Sequence, residues 1–248
     1  MTVDALASAR NAYLAAGGVW SPAWEAVALA EPEFFAAYVR LFAAPAQGGT
    51  LDAKTRALVH VAVDGAATRL AEPELRESIG AALDAGATRA EIVEVFELAA
   101  TLGIHACNVG VPLLQETLPL PDAPLSSDRA ELKAEFERVR GYWNPFWDGI
   151  LQLDPQFFAA YLEFSGRAWR TGPLAPKTKE LVYIAFDASA THMFIPGLKL
   201  HIENALEYGA TAHEIMEVLE IASTLGMTTL RVGLPILDEE LARRSEAS

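Results

Sequence analysis

"LRESIGAALDAGAT" at residues 75–88 and "LKLHIENALEYGAT" at residues 198–211 share one pattern, a helix that runs into Gly-Ala-Thr, and they stand 123 residues apart. At the same offset Trp20, Pro22 and Trp24 pair with Trp143, Pro145 and Trp147, and "FFAAY" at 34–38 pairs with "FFAAY" at 157–161. Lys54-Thr55 meets Lys177-Thr178, Asp64 meets Asp187, and Gly110 and Pro112 meet Gly233 and Pro235, with no gap needed. Self-similarity at a fixed period is the mark of a repeated structural unit. The 248 residues are therefore read as two copies, 1–123 and 124–248, joined across the Pro- and Ser-rich stretch 118–129.

Each copy reads as helices. "EPEFFAAYVRLF" and "DPQFFAAYLEF" begin with an acidic N-cap candidate, Glu31 or the better Asp154, followed by Pro at the first helical position. Gly86 and Gly209 are placed to end a helix in the left-handed conformation. Thr88 with Glu91, and Thr211 with Glu214, fit the capping box that starts the next helix. The helices that follow, "EIVEVFELAATLG" and "EIMEVLEIASTLG", are amphipathic. No period-2 alternation appears, so the expected fold is all-α, two related helical halves packed on each other. The stripe Trp20, Trp24, Phe34, Phe35 and Tyr38, with its partners in the second copy, reads as core.

A hydrophobic content of 52% with 21% charged residues predicts a well-buried core. The net charge of −14 argues against nucleic acid and against an anionic membrane surface, since both need basic patches. No uninterrupted apolar run is long enough to span a membrane. One cysteine, Cys107, excludes an intrachain disulfide and suits the cytoplasm. The first residues lack a basic segment followed by an apolar one, so no signal peptide is expected. The histidines at 60, 105, 192, 201 and 213 include no i, i+4 pair and there is no Cys-x-x-Cys, so no metal site is expected. Phosphate-cradling Gly-rich loops, dinucleotide fingerprints and Gly-x-Ser-x-Gly are absent as well.

Glu180-Leu181, His201, Ala205-Leu206, Gly209-Ala210-Thr211 and Glu214-Ile215 together resemble the carboxymuconolactone decarboxylase family, which shares the alkylhydroperoxidase D-like fold. The resemblance spans both copies and implies that fold. Peroxidases of this fold carry Cys-x-x-Cys between the Glu and the His. Here the segment reads "THMFIPGLKLH" and holds no cysteine, so a thiol peroxidase is not expected. In the first copy the Glu is Ala57 and the His is Ser78, so only the second keeps the pair. Small members assemble as trimers or hexamers, which implies a homotrimer for a fused pair.

Glu180, Tyr183 and Asp187 lie at i, i+3 and i+7 on one helix face. Were His201 to pack there, a Glu–His dyad would fix the imidazole tautomer and supply a general acid or base near neutral pH. The competing arrangement pairs Glu180 with Lys177 or Lys179 at the surface and leaves His201 a satisfied core histidine. Tyr183, His192, Lys199, Trp169 and His60 (the counterpart of Tyr183) are candidates for substrate contact, and Arg167, Arg170 and Arg231 are further available cations. Asp64 and Asp187, matched across the copies, read as structural acceptors at the following turn. "GIHACNVGVP", with His105, Cys107 and Asn108, could close a pocket from the first half; Cys107 itself reads as a small buried hydrophobe. The resemblance implies a cofactor-independent lyase, a decarboxylase of a small carboxylated lactone or ring-derived acid. An isomerase or hydratase using the same proton transfers, or a non-catalytic small-molecule-binding protein, stays open beside it.

Overall fold

The computed structural model describes residues 3–118 and 124–246, so residues 119–123 of the expected linker lie outside it. Seven helices recur in order in each half. The first set is α1 (Val3–Ala15), α2 (Pro22–Ala30), α3 (Pro32–Gly48), α4 (Ala53–Gly65), α5 (Glu72–Asp84), α6 (Arg89–Ala100) and α7 (His105–Thr117). The second is α8 (Ser127–Arg140), α9 (Phe146–Leu153), α10 (Pro155–Thr171), α11 (Pro176–Asp187), α12 (Ile195–Glu207), α13 (Ala212–Ser223) and α14 (Thr228–Glu246). No strand occurs among the described residues.

The local signals act as the sequence predicts. Asp154 accepts from the Phe157 amide at 2.9 Å, whereas Glu31 makes no side-chain cap. Both Thr–Glu capping boxes form, and Gly86 and Gly209 hold left-handed φ values of 84° and 83°. One part of the aromatic stripe differs: Phe34 and Phe157 face solvent, because the neighbouring Phe35 and Phe158 take the inward face.

Helices α4, α6, α11 and α13 form the central bundle, and their apolar faces make one core spanning both halves. Two matched polar latches cross this bundle. Glu94 on α6 pairs with Lys179 on α11 at 3.0 Å and accepts from the Leu174 amide at 2.7 Å, with both charged side chains almost fully buried. Its counterpart Glu217 on α13 accepts from the Leu51 amide at 3.1 Å and lies 3.6 Å from Arg56.

The last helix of each half packs on the other half. Helix α7 lies against α9, where Ile104, Cys107 and Val111 join Phe136, Trp147 and Phe158; α14 lies against α2, where Met227, Leu230 and Leu234 join Tyr13, Trp24 and Phe35. Each half's interior is thus completed by the other half. Residues 89–117 form one helical stretch long and apolar enough to cross a membrane, but half of its most apolar window is buried within the protein. With Glu94 paired inside the bundle, the stretch is a core element.

Candidate active site

The second half brings Glu180 and His201 together. Glu180 is fully buried on α11, and its Oε2 lies 2.5 Å from Nδ1 of His201 on α12. Asn204, one turn further along α12, donates to Oε1 at 3.3 Å. A carboxylate accepting the Nδ1 proton leaves Nε2 as the ring nitrogen free for a substrate. The surface alternative does not form, since Lys177 pairs with Glu214 and Lys179 with Glu94. Tyr183 stacks on His201 with ring centroids 4.3 Å apart and planes 11° apart. Trp169 stacks behind Tyr183 and reaches its hydroxyl at 3.4 Å.

A cation that sequence reasoning missed completes the arrangement. Arg140 ends α8, and Gly141 turns the chain away at φ 78°. The Arg140 guanidinium is buried at 3% exposure, with its carbon 5.4 Å from the Tyr183 ring centre, 5.0 Å from Trp169 and 5.5 Å from Tyr142. Among the described residues no carboxylate lies within ion-pair distance of it, and its Nε has no hydrogen-bond partner. Burial holds the hydroxyls of Tyr142 and Tyr161 well above their ordinary pKa, so these neighbours stay neutral. A buried guanidinium surrounded by rings and short of a carboxylate is costly unless an anion visits it.

His201 and Arg140 line a cavity of about 20 Å³ whose walls include Tyr142, Tyr161, Tyr183 and, from the first half, His105 and Asn108; Glu180 touches His201 but is not itself part of the wall. That is room for about one water. The matching place in the first half is a cavity of about 210 Å³. Its size follows from the exchanged residues: Gly17 stands where Arg140 would be, Val19 replaces Tyr142, His60 replaces Tyr183 and Ser78 replaces His201. The larger space lacks the dyad, and its cations are already neutralised. Arg69 pairs with Asp64, Arg231 with Glu74 and Glu77, and Arg56 with Glu217.

The remaining candidates are scattered or differently employed. His60 belongs to the first-half cavity and not to the dyad, because its helix, α4, is the first copy's counterpart of α11. Burial, then Arg56 and Arg69, push His60 down to about 4. The unfolded chain therefore takes up a proton near pH 6.5 that the folded chain refuses until about pH 4. The stability contribution is full above pH 6.5 and is lost as pH falls toward 4. Exchanging His60 for tyrosine, its counterpart's side chain, is expected to flatten the fall in urea-unfolding free energy between pH 7 and 4 by about 2–3 kcal/mol. Parallel pH profiles for the two chains would refute the assignment.

Lys199 points away from the site: its side chain is 77% exposed and reaches toward Glu203. Two residues along a helix do not share a face, so nearness to His201 in sequence places it on the far side. Arg231 serves the first-half cavity and Arg170 pairs with Glu135 at the surface.

Asp64 and Asp187 do not play one structural role. Asp64 bonds to Ser78 and Arg69, while neither carboxylate oxygen of the fully buried Asp187 has a partner. Burial, then the Glu180 charge, push Asp187 up to about 8. His192 meets His105 across the halves, Nε2 to Nδ1 at 2.6 Å, and both nitrogens lie within 4 Å of Asp187 Oδ1. Burial lowers both histidines, His105 to about 3 with the neighbouring rings of His192 and His201 adding to the effect. The turn carrying His192 is held by Met193 at φ 46°, matched by Leu70 at φ 40° in the first half. Left-handed non-glycine residues cost on the order of 1–2 kcal/mol each and need a surrounding structure that fixes them.

A two-repeat, all-helical fold with a Glu–His pair in one repeat defines the class. The chain belongs to the carboxymuconolactone decarboxylase family, whose model matches residues 32–116 and again 155–239. Among solved structures it is similar to a protein of Burkholderia xenovorans LB400 proposed to be a gamma-carboxymuconolactone decarboxylase subunit. The two are 48% identical over 96% of this chain and 98% of that one, with a TM-score of 0.92. No curated protein matches the chain.

Proposed function

We propose that the chain is a lyase that removes carbon dioxide from a small carboxylated lactone or related ring-derived acid, with Glu180, His201 and Arg140 as the working groups. The observation that carries this reading is that an unpaired buried guanidinium and the ring of His201, held by Glu180, line one cavity. In such a reaction the bond from ring carbon to carboxylate breaks and its electron pair flows into a conjugated carbonyl, giving an enolate as carbon dioxide departs. Arg140 is suited to hold the anionic oxygens of the substrate and the enolate oxygen as charge develops there, in surroundings where rings exclude water. His201, its Nδ1–H held by Glu180, takes a proton from solvent at Nε2 and passes it to the ring carbon, which returns the imidazole to its neutral form. Tyr183 and Trp169 fix the plane of the imidazole and the lie of the guanidinium.

The same groups would serve an isomerase, so the products formed from gamma-carboxymuconolactone are the deciding measurement. The 210 Å³ cavity of the first half, with balanced charges, favours a second role in binding an uncharged small molecule. The Arg140→Met chain tests the catalytic reading. Carbon dioxide release from gamma-carboxymuconolactone is expected to fall about 10²–10³-fold in kcat/KM, as when one oxyanion donor is removed. The melting temperature should hold or rise, because an unpaired buried charge has been exchanged for an apolar chain. Unaltered release, or a loss of activity that only mirrors a loss of folding, would overturn it.

A further inference from the structure

We infer that His105, His192 and Asp187 form a binding site for one divalent transition-metal ion of the zinc class, at the seam between the two halves. His105 Nδ1, His192 Nε2 and Asp187 Oδ1 all lie within 4.8 Å of one another. The edges of the triangle are 2.6 Å between the ring nitrogens and 3.9 and 3.8 Å from them to the carboxylate oxygen. A tetrahedral ion with bonds near 2.0–2.1 Å would set these edges at roughly 3.3 Å. A shift of about half an ångström in each side chain, with the proton between the imidazoles moved to the outer nitrogen of its own ring, brings the three atoms to that geometry. Two neutral imidazoles and a carboxylate are a donor set suited to zinc, iron or cobalt, and three protein ligands leave coordination positions open.

Comparison of the two halves says what is missing here. In the first half, Asp64 is neutralised by Arg69, whose guanidinium also donates to the Leu225 carbonyl at 2.9 Å and to Thr228 Oγ1 at 2.8 Å. That cation ties Asp64 to the end of the opposite half. At the same offset in the second half Arg69 becomes His192, Thr228 becomes His105 and Ser78 becomes His201. The fixed positive charge and the serine bond to the carboxylate are both gone, and two metal-binding side chains stand where the guanidinium and its acceptor stood. Asp187 is left fully buried with both oxygens unpartnered and Oδ1 turned toward both rings. Buried carboxylates are kept when paired or when they coordinate metals. Gly197 preserves the space, since a Cβ there would collide with Asp187 Oδ2. The histidine side chains are 14% and 12% exposed, which gives an ion a way in.

The ion would take over the work of Arg69, balancing the aspartate and tying α7 to α11. Since His105 also lines the cavity of His201 and Arg140, the ion would stand at that cavity's wall. The inference does not rest on the catalytic reading, and the test keeps the two apart. Untagged, metal-stripped chain is titrated with Co²⁺ and then Zn²⁺, followed by the visible absorption of bound cobalt and by calorimetry. One equivalent of Co²⁺ is expected to bind and to be displaced by Zn²⁺. Asp187→Asn and His192→Gln should each weaken binding by at least about 100-fold. His201→Ala should bind the ion as the parent does even though it is expected to lose turnover. A parent chain that takes up no stoichiometric cobalt would overturn the proposal whatever the variants do, as would folded Asp187→Asn binding as tightly as the parent.

Discussion

The His201→Ala chain is expected to release carbon dioxide from gamma-carboxymuconolactone about 10²–10⁴-fold more slowly than the parent, the usual worth of a positioned general acid or base. His201 is 5% exposed, so part of any effect could come from the space left behind. Two features separate the chemistry from that space. A truncated imidazole next to a 20 Å³ cavity enlarges it, which admits substrate more easily, so a loss through chemistry appears in kcat while KM holds or falls. Glu180→Gln, which keeps the shape and an acceptor for Nδ1 but removes the charge, should lower kcat by a smaller factor with little change in KM. If both variants keep the parental kcat on a substrate the parent turns over, the dyad is not the catalytic pair. The Asn204 amide bonds to Glu180 and does not line the cavity, so Asn204→Ala should weaken the dyad's orientation without abolishing turnover.

The sequence carried much of this because a repeat doubles every signal. The offset of 123 aligned both helix sets and isolated Glu180 and His201 as residues written only once. The caps followed from chemistry local to four or five residues, and local chemistry is what a sequence displays. The exchange of α7 and α14 between halves was not legible, because periodicity says that a helix has an apolar face but not which partner covers it. The same limit hid the burial of Arg140 and the meeting of His105 with His192. Arg140 looks like an ordinary basic residue in the last turn of a helix, where the helix dipole favours a cation. Only the folded shell of Tyr142, Trp169 and Tyr183 makes it a buried charge. His105 and His192 are 87 residues apart and meet because α7 crosses to the second half. A search for ligand spacing within one helix could not join them, although comparing Arg69 with His192 and Thr228 with His105 would have shown where the copies diverge.

The largest effect on folding is expected at the seam. Glu94→Ala should destabilise the chain by about 3–5 kcal/mol in urea unfolding, because it strands Lys179 as an uncompensated charge inside the central bundle. The penalty belongs to the charge left behind more than to the bond removed, and this makes a second result predictable. Converting Glu94 and Lys179 together to methionine should recover most of the loss, since a buried ion pair and a well-packed apolar pair of similar volume are often close in free energy. The Leu174 amide, which donates to Glu94 Oε2, would still lack its acceptor, so recovery should fall short by about 1–3 kcal/mol. The pseudo-symmetric Glu217→Ala should cost less, because each partner keeps one carbonyl bond, Arg56 to Leu51 and Lys179 to Ala168, but Arg56 is 19% exposed and reaches water whereas Lys179 is sealed. Equal losses at the two positions would mean that the chain does not distinguish a sealed latch from an open one. The ordering also bears on function, because Lys179 directly precedes Glu180 on α11. A chain whose latch is broken but still folded should therefore lose precision at the dyad before it loses its helices.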